Sequence, residues 1–77
     1  MNKQRRKQLQ EVVAKIQEAD EMLGVLKEEE EEYRDNFPEN LLASERYENA
    51  EMAVSNMEEA AQALNDAIDN INEAIEN

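Results

Sequence analysis

Residues 44–75 carry apolar side chains in alternating steps of three and four, without a break. The stripe consists of Tyr47, Ala50, Val54, Met57, Ala61, Leu64, Ile68, Ile71 and Ile75. Only an α-helix brings this spacing onto one face. A second row runs beside the stripe at intervals of seven residues: Ala53, Ala60, Ala67 and Ala74. The segment therefore predicts a long amphipathic helix that requires a packing partner.

A similar stripe occupies residues 9–37 and predicts a first helix. It consists of Leu9, Val12, Ile16, Ala19, Leu23, Leu26, Glu30, Tyr33 and Phe37, with Glu30 as its one polar interruption. Val13 and Met22 widen it. Gly24 lies inside this helix, where glycine is roughly 1 kcal/mol less favourable than alanine. It is either tolerated there or marks a close approach by another helix.

The segment between the two stripes contains the only strong helix breaker. Pro38 disfavours helical angles at Phe37 and cannot continue the first helix. Ser44 is the expected N-cap of the second helix, with Asn40 as a competing cap. We therefore predict one domain, residues 1–77, with helix one at about 3–35, a connector at 36–43 and helix two at about 44–76.

Two amphipathic helices joined by a short connector fold back on each other. The sequence thus predicts an all-α fold, an antiparallel two-helix coiled-coil hairpin. Pairing the two stripes around residue 40 sets Leu26 against Val54 and Tyr33 against Tyr47.

The second helix has an apolar face about three positions in seven wide, the width typical of a helix with more than one neighbour. We therefore expect two hairpins to form a homodimeric four-helix bundle. The candidate partner or dimer interface comprises Val13, Met22, Gly24, Ala53, Ala60, Ala67 and Ala74.

The composition argues against an enzyme. The chain has no cysteine and no histidine, so it lacks thiolate ligands, the usual transition-metal ligand and the usual general base. Calcium-loop and phosphate-loop motifs are also missing. We predict no catalytic residue, no cofactor and no metal site.

Charge is distributed unevenly along the chain. The net charge is −12, from 8 basic and 20 acidic residues, yet Lys3, Arg5, Arg6 and Lys7 lie among the first seven residues. These bases either pair with the acidic end of the second helix or form a short contact with nucleic acid or a membrane. Such an acidic body repels nucleic acid and anionic membranes, so we expect no direct contact with either. A cytoplasmic location in a bacterial host cell is expected.

Residues 28–32 are five consecutive glutamates, which we name the glutamate run. Glu30 falls on the stripe, whereas its neighbours face outwards. One interpretation is a solvated helix face; the other is a site for a divalent cation or a basic partner. The candidate acidic contact face comprises Glu28, Glu29, Glu31 and Glu32.

The connector Phe37-Pro38-Glu39-Asn40-Leu41, followed by Ser44-Glu45-Arg46-Tyr47-Glu48, resembles small acidic helical proteins of bacteriophages, prophages and gut Firmicutes. Members of that group are generally of unknown function, so the resemblance implies a bacterial or phage setting and no particular site. The resemblance also implies that the chain could act as an inhibitor that occupies the nucleic-acid-binding surface of another protein.

These observations lead to one functional expectation and two alternatives. The chain is expected to be a non-enzymatic protein–protein interaction module that forms a homodimer. It is also expected to have an unknown protein partner, for which a basic or nucleic-acid-binding protein is the candidate. The first alternative is an acidic nucleic-acid mimic that inhibits a host DNA-binding, RNA-binding or defence protein. The second is a self-associating structural protein. Mimicry predicts binding that weakens steeply with salt, whereas apolar contact survives it.

Overall fold

A computed structural model describes residues 1–77 as two long helices that form a hairpin. Helix α1 spans Lys3–Asp35, a short 3₁₀ turn spans Glu39–Leu41, and helix α2 spans Glu45–Glu76. The all-helical architecture is confirmed. The radius of gyration is 17.5 Å, whereas a compact domain of this length has about 11–12 Å. The molecule is a rod about 60 Å long, so most of its surface faces outwards.

Each helix begins at a side-chain cap. The backbone N–H of Arg5 donates to Asn2 Oδ1 at 2.7 Å at the start of α1. The backbone N–H of Tyr47 donates to Ser44 Oγ at 3.2 Å, which confirms Ser44 as the cap of α2. These bonds satisfy N–H groups that have no partner in the first helical turn. Together with Pro38, the Ser44 cap fixes where the chain reverses direction.

Helix α2 packs as its sequence predicts. Every residue of the stripe from Tyr47 to Ile75 is buried or half-buried, and Ala50 and Val54 are the most buried of them. Ala53, Ala67 and Ala74 are half-buried as well, whereas Ala60 is exposed. The contact with α1 is therefore displaced towards the alanine row.

Helix α1 uses a different edge from the one its stripe predicts. The side of α1 that packs on α2 carries Arg6, Leu9, Val13, Ile16, Asp20, Leu23, Lys27, Glu30, Arg34 and Phe37. Leu26 and Tyr33, which were expected to face α2, are 54% and 49% exposed. Val12 and Ala19 are exposed too. The expected pairing of Leu26 with Val54 is therefore wrong.

The reason lies in the width of the apolar arc of α1. Adjacent pairs such as Val12 with Val13 place apolar groups on both sides of Leu9, Ile16 and Leu23. A single neighbouring helix covers only one side of that arc. The covered side is the one whose long polar side chains reach α2, because their aliphatic stems pack along the contact while their charged ends stay near water.

Two contacts fix the alignment of the helices at opposite ends of the rod. At the open end, Arg6 Nε donates to the carbonyl oxygen of Ile75 at 3.1 Å. At the closed end, the Phe37 ring packs edge-on against Tyr33 at 5.0 Å and against Tyr47 at 5.6 Å between centroids. Aromatic pairs in this geometry stabilise by about 0.5–1.5 kcal/mol beyond the area they bury. The aromatic residues thus hold the turn closed.

The core of this hairpin is very small. Only Val13, Ala50 and Val54 are buried. Small domains seldom bury enough apolar area to be stable without extra support. The hairpin therefore leaves much of its apolar surface uncovered.

Candidate functional site

The two faces of the hairpin differ, and one ion pair identifies the polar one. Lys27 Nζ lies 3.8 Å from a carboxylate oxygen of Glu58. Lys27 is on one edge of α1 and Glu58 is on the edge of α2 away from the alanine row. These two edges therefore share one face of the hairpin. The opposite edge of α1, which carries Leu26, must share the other face with the alanine row.

A groove at the closed end supports the same assignment. It has a volume of about 540 Å³, and its lining includes Tyr33 of α1 and Arg46 of α2. Tyr33 is seven residues from Leu26 and therefore lies on the same edge of α1. Arg46 is likewise seven residues from Ala53, in line with the alanine row. The ion pair and the groove therefore both place the Leu26 edge of α1 and the alanine row on one side of the hairpin.

We name this side the open face. It consists of Val12, Ala19, Met22, Leu26 and Tyr33 of α1, with Ala53, Ala60, Ala67 and Ala74 of α2. All five α1 members are exposed. Scattered apolar residues on a protein surface are ordinary, but a contiguous apolar face along a helix marks a contact surface. The open face can bind an apolar helix or a second apolar face.

The candidate interface residues are distributed over three locations. Met22 and Ala60 lie exposed on the open face, and the other three alanines border it. Val13 is buried against α2 within the hairpin. Gly24 is three residues from Lys27 and so lies towards the polar face. No atom of α2 comes within 4 Å of a Cβ built on Gly24, so this glycine does not serve helix packing inside the hairpin.

Four members of the open face are not predicted by the apolar stripe of α1. The stripe predicts that Val12, Ala19, Leu26 and Tyr33 contact α2, whereas the structure leaves them exposed. For Val12 and Leu26, a usable signal is the occurrence of adjacent apolar pairs, Val12 with Val13 and Val25 with Leu26. Neighbouring positions on a helix point about 100° apart, so such pairs indicate two apolar edges on one helix.

Most carboxylates of the glutamate run have no cationic neighbour. Glu28, Glu29 and Glu32 are exposed, and Glu31 pairs with Lys27 at 3.4 Å. The whole hairpin contains three ion-pair contacts, two of which involve Lys27. The run therefore concentrates uncompensated negative charge near the closed end of the rod. No group of acidic side chains has the arrangement of a metal site.

The basic segment at the open end is also uncompensated within the chain. None of Lys3, Arg5, Arg6 and Lys7 lies within 4 Å of a carboxylate oxygen. The expected pairing with the acidic end of α2 takes another form, because Arg6 donates to a backbone carbonyl of Ile75 instead. Cations near a helix C-terminus interact favourably with the helix dipole. The other three bases remain free to contact a partner.

Two titratable groups near the closed end are shifted from their ordinary values. A hydrogen bond to Glu51 raises the pKa of Tyr47, with a smaller contribution from burial. A hydrogen bond to Asp35 raises the pKa of Arg34, whose Nε lies 3.1 Å from that carboxylate. Both shifts favour the protonated form already present at neutral pH. These groups are structural pairs at the turn and provide no poised acid or base.

Neither helix has the length of apolar sequence that crossing a bilayer requires.

No protein-family model, curated protein or solved structure matches this chain.

Proposed function

We propose that this chain is a non-enzymatic protein–protein interaction module that binds through its open face, and that its first partner is a second copy of itself. Two hairpins packed face to face form a four-helix bundle. The observation that carries the proposal is the open face itself, which presents exposed Leu26, Met22 and Tyr33 beside a row of alanines.

The small core of the hairpin gives an energetic reason for self-association. A stable fold of this size has a free energy of unfolding of several kcal/mol, most of it from apolar burial. Three buried residues contribute little towards that total. Covering the open face removes apolar area from water at about 25 cal/mol per Å². A second copy offers the same apolar face and therefore matches the first in length and width.

The test measures molecular mass over a concentration series by sedimentation equilibrium. The wild-type chain is expected to reach twice its single-chain mass of 8.9 kDa. Met22→Glu places a charge on the open face and is expected to shift the protein to the single-chain mass. A wild-type mass of one chain at every concentration contradicts the proposal.

The matched control is Met52→Glu. Met22 and Met52 are 62% and 63% exposed, and both lie within helices. Met52 precedes Ala53 on the outer side of α2, away from the open face. Equal loss of association in both variants would show that added charge alone weakens the dimer, and the open face would lose its support.

The alternative function, an acidic nucleic-acid mimic, is supported by the resemblance to phage proteins and by the glutamate run. Binding assays with Met22→Glu and with variants of the glutamate run test this alternative as well. A mimic binds its target through carboxylates, so capture of that target weakens with salt and is displaced by DNA or RNA. Capture by an interaction module depends instead on Met22 and survives high salt. Loss of binding on Glu28→Gln and Glu29→Gln, with Met22→Glu unaffected, would favour mimicry.

A further inference from the structure

We infer that the second copy lies in the opposite direction along the rod, so that the basic segment of each chain contacts the glutamate run of the other. This inference rests on the proposed self-association through the open face and specifies its geometry. In this arrangement α1 packs on α1 of the second copy, and α2 packs on α2. A twofold axis crosses the rod at one level, and three independent features of the chain place that level.

The alanine row gives the first position for the axis. Its members are symmetric about residues 63 and 64, halfway between Ala60 and Ala67. Opposed copies therefore bring Ala60 of one chain to the level of Ala67 of the other, and Ala53 to the level of Ala74. Alanines facing alanines allow two helices to approach closely along the whole row, because no large side chain separates the backbones.

The charges give the second position. The basic residues centre on residue 5 and the glutamate run centres on residue 30, so a twofold axis that superimposes them passes level with residues 17 and 18. Arg6 lies beside Ile75, Lys27 beside Glu58 and Phe37 beside Tyr47, so in this antiparallel hairpin residues 17 and 18 are level with residues 63–68. The axis defined by charge and the axis defined by the alanines therefore agree to within about one helical turn.

The apolar stripe of α1 gives the third position. About the same axis, half-buried residues of one α1 meet exposed residues of the other: Leu9 meets Leu26, Leu23 meets Val12, and Ile16 meets Ala19. These are the pairings of an antiparallel coiled coil. The regular stripe that the hairpin leaves half-covered is thus completed between copies.

The reverse orientation, with both connectors at the same end, lacks this match. It places α1 over α2 of the second copy and leaves the glutamate run near Glu45, Glu48 and Glu51 of that helix. Like charges face each other there and disfavour the pairing. Opposed copies place the same run beside unpaired bases.

Disulfide cross-linking distinguishes the two orientations, because the chain has no native cysteine. A mixture of Ala60→Cys chains and differently tagged Ala67→Cys chains is expected to form the mixed disulfide in high yield. Each variant alone is expected to cross-link poorly, because its two cysteines are offset by about 10 Å along the helix, beyond the roughly 7 Å limit for bridged Cα atoms.

A second mixture tests the reverse orientation with chains of the same kind. Residue 22 is level with residue 59, so Met22→Cys chains cross-link to Ala60→Cys chains only when both connectors lie at the same end. Predominant cross-linking in this mixture overturns the inference, and so does a stable dimer with no mixed disulfide in either experiment. A chain that remains monomeric contradicts the proposed function itself, which sedimentation shows separately.

Charge reversal provides an independent readout. Arg5→Glu or Glu29→Lys alone is expected to raise the dimer dissociation constant roughly fivefold at low salt. The two changes combined in one chain restore attraction between opposed copies and are expected to return the constant to about its wild-type value. In the reverse orientation these residues lie about 36 Å apart and rescue does not occur. Absence of rescue in a dimer therefore refutes the opposed arrangement.

Discussion

Two adjacent valines test which edge of α1 packs on α2. Val13 is 8% exposed and Val12 is 42% exposed, although the apolar stripe in the sequence includes Val12 and omits Val13. We compare Val12→Ala and Val13→Ala with Val25→Ala, an exposed reference on the same helix. All three replace valine by alanine inside α1, so the gain in helix propensity, roughly 0.5 kcal/mol, is shared and cancels in the differences.

Burial sets the expected magnitudes. Valine-to-alanine substitution removes two carbons, and full burial of each contributes about 0.8 kcal/mol. Val13 is nearly buried, so it loses about 1.5 kcal/mol plus a cavity contribution. Val12 is only partly covered and loses about 0.9 kcal/mol before the propensity gain. Val13→Ala is therefore expected to destabilise the single hairpin by about 0.5–1 kcal/mol more than Val12→Ala.

The assay is urea unfolding followed by circular dichroism at two protein concentrations. At low concentration, where hairpins are separate, the order of destabilisation is expected to be Val13, then Val12, then Val25. At high concentration the proposed dimer covers the open face, and the effect of Val12→Ala is expected to approach that of Val13→Ala. A larger effect of Val12→Ala at low concentration would refute the packing described for α1.

Three further predictions concern single sites. Gly24→Ala is expected to raise the free energy of unfolding by up to about 1 kcal/mol, because the helical backbone is retained and the added methyl group meets no atom within 4 Å. Thermal unfolding measures this change, and a destabilised variant would contradict the prediction. Ser44→Ala is expected to destabilise the protein by about 1 kcal/mol through loss of the cap of α2, with Ser44→Asp as the retaining control. Because the pKa of Tyr47 is raised in the folded protein, its contribution to stability is complete below the ordinary tyrosine pKa of 10.0 and is lost as pH rises through the folded pKa. The free energy of unfolding is therefore expected to fall more steeply at alkaline pH in the wild type than in Tyr47→Phe. Identical pH profiles of the two proteins would contradict this.

The two-helix fold is predictable from the sequence because the spacing of the apolar residues strongly constrains which segments form helices and which face of each helix is apolar. Nine residues in unbroken steps of three and four leave α2 only one face to bury, and that face is the one packed on α1. Pro38 and Ser44 act through local backbone sterics and a single hydrogen bond, so they depend little on the rest of the molecule. Such local features determine where helices begin and end.

The packed edge of α1 did not follow from spacing, because α1 has more apolar positions than one neighbour covers. Val12 and Val13 are both apolar, so periodicity does not decide which of them packs on α2. In the structure the packed edge is that of Val13, and it also carries Lys27 and Arg6, which contact α2. A periodic pattern encodes neither the rotamers of such long side chains nor the displacement of the contact towards the alanines. For the same reason, only part of the candidate site is predictable from the sequence. The sequence places Met22 on the interface with a second chain, and Met22 is exposed in the structure; it places Leu26 against α2, yet Leu26 is exposed too.

The surplus of apolar positions on α1 also connects the fold with the proposed function. A helix that served only an isolated hairpin would need one apolar edge, and selection for solubility would favour polar residues on the other. Here the second edge repeats Val12, Ala19, Leu26 and Tyr33 at intervals of seven residues over residues 12–33 of α1. That regularity suits the proposed partner, because a second copy of the hairpin is as long and as straight as α1 itself.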